Sequence, residues 1–334
     1  MLGITRDTLM SLLPYYFISV IILSLIPFTG NEYIVHVMIL VYIYMILASS
    51  LDILVGYTGA LNLGHAAFFA IGAYTSTLLS MRLGISPWIG LILGGLFAMV
   101  AGLILGIPCL RLRGPYLAIS TLGFGIVVYM FLNNLEEITR GPLGIPGIPP
   151  LPGLGILDFT KKTTYYYFAM ILGLTCLLIL KLLATSRYGK ILIAIREDED
   201  AAKAIGVNIA LYRLLAFMIA TFFAGLAGGV YAHYIRYISP DLSTLSESIT
   251  ILSMTLVGGF GTIVGPAFGA LLLTFISELL RPLLEYRFLI YGGLIVFIVR
   301  FMPGGIIGTL MKYWSTHGGI SFKRVIKGGG TKSS

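Results

Sequence analysis

Charge is what this 334-residue chain has least of: Asp, Glu, Lys and Arg make up 11% of it, against 57% hydrophobic residues. Ordinary soluble domains carry about 25% charged residues, so a water-soluble fold is excluded. Cysteine is as scarce. Cys109 and Cys176 both sit in apolar runs, which excludes a disulfide scaffold and a paired-cysteine metal knuckle. Four histidines, His36, His65, His233 and His317, are dispersed without metal-ligand spacing. No GxxxxGKS or GxxxxGKT occurs, and the superficially similar run 328–333 lacks both the spacing and a strand–helix setting, so the chain has no P-loop of its own. No catalytic residue, cofactor or metal ligand is assigned, and an enzyme is not expected. The formal charge of +8 is scattered between apolar blocks without an aromatic–basic stripe. That argues against nucleic acid and in favour of an orientation signal in a membrane protein.

What the chain has in abundance is long apolar runs. A bilayer core of about 30 Å takes about 20 apolar residues per helix. Runs at 15–28, 33–55, 87–108, 115–132, 165–184, 214–234 and 288–301 meet that need fully or nearly, while 56–81 and 249–280 are apolar but interrupted by glycine. The last is too long for one straight pass and is divided at Gly258-Gly259-Phe260-Gly261. Its first limb is expected to span or to be re-entrant. The first run lacks a small-residue cleavage site and is read as a permanent helix. The fold expected is therefore all-α: a polytopic integral membrane protein of about ten transmembrane or half-membrane helices, forming a single transmembrane domain over 1–334. With both termini inside, Lys and Arg divide 15 inside to 7 outside, accounting for all 22, and the positive-inside rule favours this orientation in the cell membrane. A glycine- and proline-rich run within 136–164 is expected to cap the outer face as turns, 185–213 to be the one sizeable cytoplasmic loop, and 309–334 to be a disordered cytoplasmic tail.

Two features carry chemistry. The loop reads Arg196-Glu197-Asp198-Glu199-Asp200-Ala201-Ala202, with Gly206 closing it. Acids in the first turn and a terminal glycine predict a short helix. Its alanines leave a thin face able to enter a groove on a partner, though a solvated loop that only fixes topology explains the same charges. The second feature is the glycine interruptions. Gly56, Gly59 and Gly64 surround Thr58, Asn62 and His65, and Gly258, Gly259 and Gly261 precede Pro266. Small residues let transmembrane helices pack closely. They also permit broken helices, with irregular backbone over 58–64 and a half-helix from about His65 whose N–H groups suit a passing carboxylate. Pro266 is placed for the first turn of a second half-helix. Ser120, Thr121, Asn133 and Asn134 are candidates for the same path, or hydroxyls and amides bonded to their own backbone. Asp52 and Glu278, near helix ends, are expected to reach interfacial water.

Taken together these stretches resemble a known family. Residues 56–74, 113–125 (Arg-Gly-Pro-Tyr-Leu-Ala-Ile-Ser-Thr-Leu-Gly-Phe-Gly), Arg196–Glu199 with Gly206, and Gly258–Thr262 are similar to segments of the LivM-type permease subunits of ABC importers for branched-chain amino acids, in the same order, from about Gly56 to Gly308. The chain departs from the family at two places. Ile126 and Tyr129 stand where the family commonly has a glutamate and an arginine, and Met302-Pro303 stands for its arginine–proline. The resemblance implies an ATP-driven importer with a second homologous permease subunit, two cytoplasmic ATP-binding subunits docking on 196–206, and an extracytoplasmic binding protein. The implied cargo is a branched-chain or related small amino acid moved by alternating access. An ion-coupled secondary transporter is the alternative; it needs an intramembrane carboxylate or coupling-ion cage, for which the central runs offer few candidates.

Overall fold

The structure, a computed structural model, describes residues 16, 19–109, 112, 114–153, 158–280, 286–302 and 304–309. Arg113, Pro303 and the tail over 310–334 lie outside them. After α1 (Ser19–Phe28) the chain forms α2 (Glu32–Asp52), which continues as a π-helical turn over Ile53–Thr58. Asn31 starts α2, its Oδ1 accepting from the N–H of Tyr33 at 2.9 Å and of Ile34 at 3.3 Å. There follow α3 (His65–Arg82), α4 (Pro87–Cys109), α5 (Pro115–Asn134), the single turn α6 (Glu136–Thr139), α7 (Lys162–Thr185), α8 (Arg187–Glu197), α9 (Glu199–Ala204), α10 (Ile209–Ile235), α11 (Leu245–Gly258), α12 (Val264–Leu279) and α13 (Tyr286–Phe301). Among the described residues five helices are long and apolar enough to cross a membrane: α2 with its π turn, α4, α5, α7 and α10.

α2 is apolar on every side, and 78% of its most apolar window is buried, so it forms the axis of the bundle. α7, α10, α11 and α12 pack around it. α5 lies at the other extreme with 33% of its window buried. α3, α4 and α10 form a block with almost no side chain at its centre. A Cβ on Gly72 of α3 would overlap the backbone of Gly225 on α10, one on Gly228 the carbonyl of Phe69, and one on Gly94 would meet the Gly72 carbonyl at 2.7 Å. These glycines serve close helix approach. Cys109 and Cys176 are buried and free.

The expected division of 249–280 is present: α11 ends at Gly258 and α12 begins at Val264. Fourteen residues make α11 about 21 Å long, short of a full crossing. Pro266 sits in the first turn of α12. The segment 136–164 is more structured than a run of turns. It opens with α6 and a 3-10 turn over Gly141–Leu143, and Ile145–Pro146 (β1) pairs antiparallel with Tyr237–Ile238 (β2). His233 fastens it further, its Nδ1 donating to the Pro149 carbonyl at 2.7 Å while Nε2 accepts from the Ser76 hydroxyl at 2.8 Å. A carbonyl can only accept, which fixes this tautomer. α8 packs against α7, α10 and the π turn, and α9 against α8 and α10.

Gly72→Ala is expected to overpack the α3–α10 contact and cost about 1–3 kcal/mol, seen as a lower thermal unfolding midpoint of the chain in detergent. Gly123→Ala, whose Cβ meets nothing within 4 Å, should leave that midpoint unchanged or slightly raised.

Candidate functional site

The two glycine interruptions, 200 residues apart in sequence, are one structure. Where α2 passes into its π turn, Asp52 is fully buried. Its Oδ1 accepts the N–H of Gly261 at 2.6 Å and its Oδ2 the N–H of Ile263 at 3.0 Å. The expectation that Asp52 reaches interfacial water is thus corrected, because the loop after α11 folds over the carboxylate and supplies the donors water would have given. Ser49, one turn earlier, donates to the Ile263 carbonyl at 3.1 Å. Ile263 is held at φ 59°, ψ −44°, a conformation that a β-branched residue avoids and that persists only where surroundings impose it. Lys181 of α7 donates to the carbonyl of Thr262 at 3.2 Å. A Cβ on Gly56 would collide with both Asp52 and the Gly261 nitrogen, so only glycine lets the two breaks touch.

Arg196, in the last turn of α8, reaches into this junction. Its Nη1 donates to the carbonyl of Gly56, and its stem lies against Gly59, where a Cβ would stand 2.9 Å from Cγ. Gly59 (φ 70°) beside the stem and Gly261 (φ 77°) beside the guanidinium both turn the chain in the left-handed region. About a third of the Arg196 side chain (34%) stays accessible, and its contact to Glu197 is long at 4.0 Å. A pocket of about 220 Å³ opens beside it, lined by Thr58, Gly59, Ala60, Leu117, Ile195, Arg196, Glu199 and Arg213 among others.

The rest of the loop forms the short helix that the acids and Gly206 predict. Asp198 caps α9, Oδ1 accepting from Asp200 N at 3.0 Å and Ala201 N at 2.9 Å, and Gly206 ends it at φ 85°. Glu199 points inward to Arg213, which grips it through two nitrogens at 2.9 and 3.3 Å. Ala202 is buried, while Ala201 and Asp200 are exposed. A residue that the sequence pattern passed over stands out: Ile205, between α9 and Gly206, is 79% exposed. A branched apolar side chain between Ala204 and Gly206, in the loop that carries the acids, was the available signal.

The first break continues where the π turn ends. Thr58 bonds back to Leu54 O at 2.7 Å, and residues 59–64 climb without helix to α3. Asn62 is buried, its Oδ1 accepting from Gly64 N at 2.8 Å while Nδ2 finds no partner among the described residues. His65 is buried against Ser50, Nε2 to Oγ 3.0 Å, and opens α3 as expected. Thr121 is also buried. It donates to Ala118 O at 2.9 Å and accepts from Leu63 N at 3.0 Å, so it both bonds its own backbone and anchors the loop. A Cβ on Gly64 would overlap the Thr121 carbonyl. Ser120 and Asn133 remain partly accessible on α5, and Asn134 bonds back to Met130 O at 2.8 Å. A second pocket, about 100 Å³, lies along α5 between Leu63, Leu122, Gly125, Ile126, Tyr129 and residues 243–245. The two positions that depart from the family pattern, Ile126 and Tyr129, line it together. Glu278 accepts from the Tyr33 hydroxyl at 3.1 Å. No group of three or more His, Cys, Asp or Glu side chains able to hold a metal occurs among the described residues.

No solved structure matches this chain. Its sequence does have relatives. It is 37% identical over 304 residues to the high-affinity branched-chain amino acid transport system permease protein LivM of Salmonella typhimurium, and equally to that of Escherichia coli, covering 84% of this chain and 71% of each relative. A probable branched-chain amino acid transport permease protein LivM of Methanocaldococcus jannaschii is 22% identical over 313 residues, 79% of this chain and 90% of that protein. Residues 33–299 match the family described as branched-chain amino acid transport system / permease component. The apolar helices are therefore those of a multi-pass membrane protein, and the chain belongs to the family of permease components of branched-chain amino acid transport systems.

Proposed function

We propose that this chain forms one of two homologous membrane subunits of an ATP-driven importer that moves leucine, isoleucine, valine or a related small amino acid by alternating access. The observation that carries the proposal is the 37% identity, over 84% of the chain, to relatives named as permeases of high-affinity branched-chain amino acid transport. Both termini and the α8–α9 end face the cytoplasm, in keeping with the 15-to-7 split of basic residues. Two separate ATP-binding subunits drive the cycle, and an extracytoplasmic binding protein delivers the cargo to the face carrying the β1–β2 ladder. The chain itself performs no catalysis.

The docking segment for the ATP-binding subunit is Arg196–Gly206. Asp198 and Gly206 stiffen its ends, Ala201 and Asp200 stand on its accessible side, and Ile205 supplies an apolar anchor of the type that seats a helix in a groove. Glu197 and Glu199 frame it, the latter tied back to Arg213. The path for the cargo runs along α5. Ser120 and Asn133 are its accessible polar groups, Thr58 lies at its inner mouth, and Asn62, His65 and Thr121 shape the helix-free segment 59–64 beside it. The unpaired N–H of Asn62 near the start of α3 supports a role for that loop with a polar cargo. The pocket lined by Ile126 and Tyr129 supports apolar rather than ionic contact with the side chain of the amino acid. Ion coupling is disfavoured because both oxygens of the buried carboxylate, Asp52, are occupied by backbone N–H groups.

Ile205→Asp is expected to weaken capture of the ATP-binding subunit about tenfold or more, read by crosslinking from Ala201→Cys in inside-out vesicles. Unchanged capture, or a residue 201 reachable only from outside the cell, would refute the docking assignment. Along α5, Ser120→Cys and Asn133→Cys are expected to react with a water-soluble maleimide in the assembled importer. Thr121→Cys is expected to stay unreactive; equal labelling of all three would contradict the proposed route.

A further inference from the structure

Arg196 belongs to the segment proposed to meet the ATP-binding subunit, yet its guanidinium points into the bundle, onto the carbonyl of Gly56. That carbonyl lies in the π turn ending α2, and the same turn abuts the loop after α11 at Gly261. A helical carbonyl freed by such a break needs a donor when buried, and Arg196 is the donor. On the other side of the contact, Asp52 holds Gly261 and Ile263 by their N–H groups, and Ile263 is kept at a positive φ that it would leave if released. One charged side chain thus joins the docking segment to the first break, and a second joins the first break to the other.

From this geometry we infer that Arg196 and Asp52 are positioning residues that transmit movement of the docking segment to both glycine breaks at once. Displacing α8 pulls on Gly56, moves the π turn under Asp52, and loosens the clamp on Ile263. The start of α3, which borders the cargo path, and the start of α12 then move together. Gly59 leaves room for the arginine stem, Gly261 lies beside the guanidinium, and α7 steadies the same loop through Lys181 on Thr262. Breaking the link therefore leaves docking intact and disconnects it from the path. The inference rests on reading α8–α9 as the ATPase contact.

The test uses the complete importer, with partner permease, ATP-binding subunits and binding protein, in proteoliposomes, with radiolabelled leucine as the probe. Three quantities are read: crosslinking from Ala201→Cys to the ATP-binding subunit, ATP hydrolysis, and leucine taken up per ATP hydrolysed. Arg196→Gln is expected to lower the leucine taken up per ATP hydrolysed about tenfold. Arg196→Lys, which keeps the positive charge as well as a donor for the Gly56 carbonyl, should recover part of that loss; Asp52→Asn, outside the docking segment, should reproduce the loss with crosslinking and hydrolysis unchanged. If Arg196→Gln does not assemble, Gly59→Ala, which displaces the arginine stem while keeping its charge, replaces it and carries the same expectation. An unchanged ratio of leucine to ATP, or hydrolysis and uptake falling in proportion without recovery by lysine, overturns the inference. Loss of crosslinking in the otherwise unaltered importer overturns instead the docking assignment on which it rests.

Discussion

A helix that stops inside a membrane protein leaves peptide groups without partners where water cannot supply them, and each such group is costly. This chain stops twice near the same level, after Thr58 and after Gly258. The Asp52 carboxylate answers for the second stop by accepting two N–H groups of the loop at Gly261 and Ile263, and Arg196 answers for the first by donating to Gly56. Both charged groups come from elsewhere in the sequence. The loop after α11, the turn after α2 and the segment containing α8 therefore hold their conformations only together. Burial of a carboxylate is expensive unless it is fully hydrogen-bonded and near positive charge. Here Lys181 stands over the same loop, so the requirement is met by the elements that the carboxylate organises.

The glycines divide accordingly. Gly72, Gly94, Gly225 and Gly228 serve packing, bringing α3, α4 and α10 to backbone contact and making that block hard to deform. Gly59 and Gly261 turn the chain, and Gly56 admits the contact between the breaks. Both explanations that the sequence admits are correct, at different residues. The division gives the molecule a stiff part and a jointed part, with α3 shared between them: its glycines lie in the block and its first residue, His65, in the joint.

Helix existence was legible from hydropathy, and the division of 249–280 from the four-residue break at Gly258. The α9 helix followed from local rules, because acids in a first turn and a terminal glycine act within one turn. What could not be read depends on distance. Asp52 lies at the end of an apolar run, the usual place of an interfacial acid, and only the arrival of Gly261 and Ile263 buries it. Thr121 reads equally as a backbone-bonding hydroxyl or a path residue until Leu63 is seen to use it. Ile205 was passed over because the alanines beside it matched a familiar pattern, whereas exposure distinguishes it. The pairing of β1 with β2 joins residues 145–146 to 237–238 across four helices, and two-residue strands have no periodicity to detect.

Along the proposed route the contacts available to a cargo are weak in kind. Leu63, Leu122, Ile126 and Leu245 offer apolar surface, with Tyr129 beside them. Burying one methylene there contributes about 0.8 kcal/mol, so the extra carbons of a branched side chain are sensed without being held tightly. A glutamate–arginine pair at 126 and 129 would instead present fixed charge to a zwitterion in a low-dielectric setting, where such contacts grow strong. A membrane site that binds firmly must be opened again at equal cost before release. An aliphatic and a phenol in place of the pair remove that fixed charge, which suits the proposed importer, where a binding protein meeting the amino acid in water would carry the burden of selection.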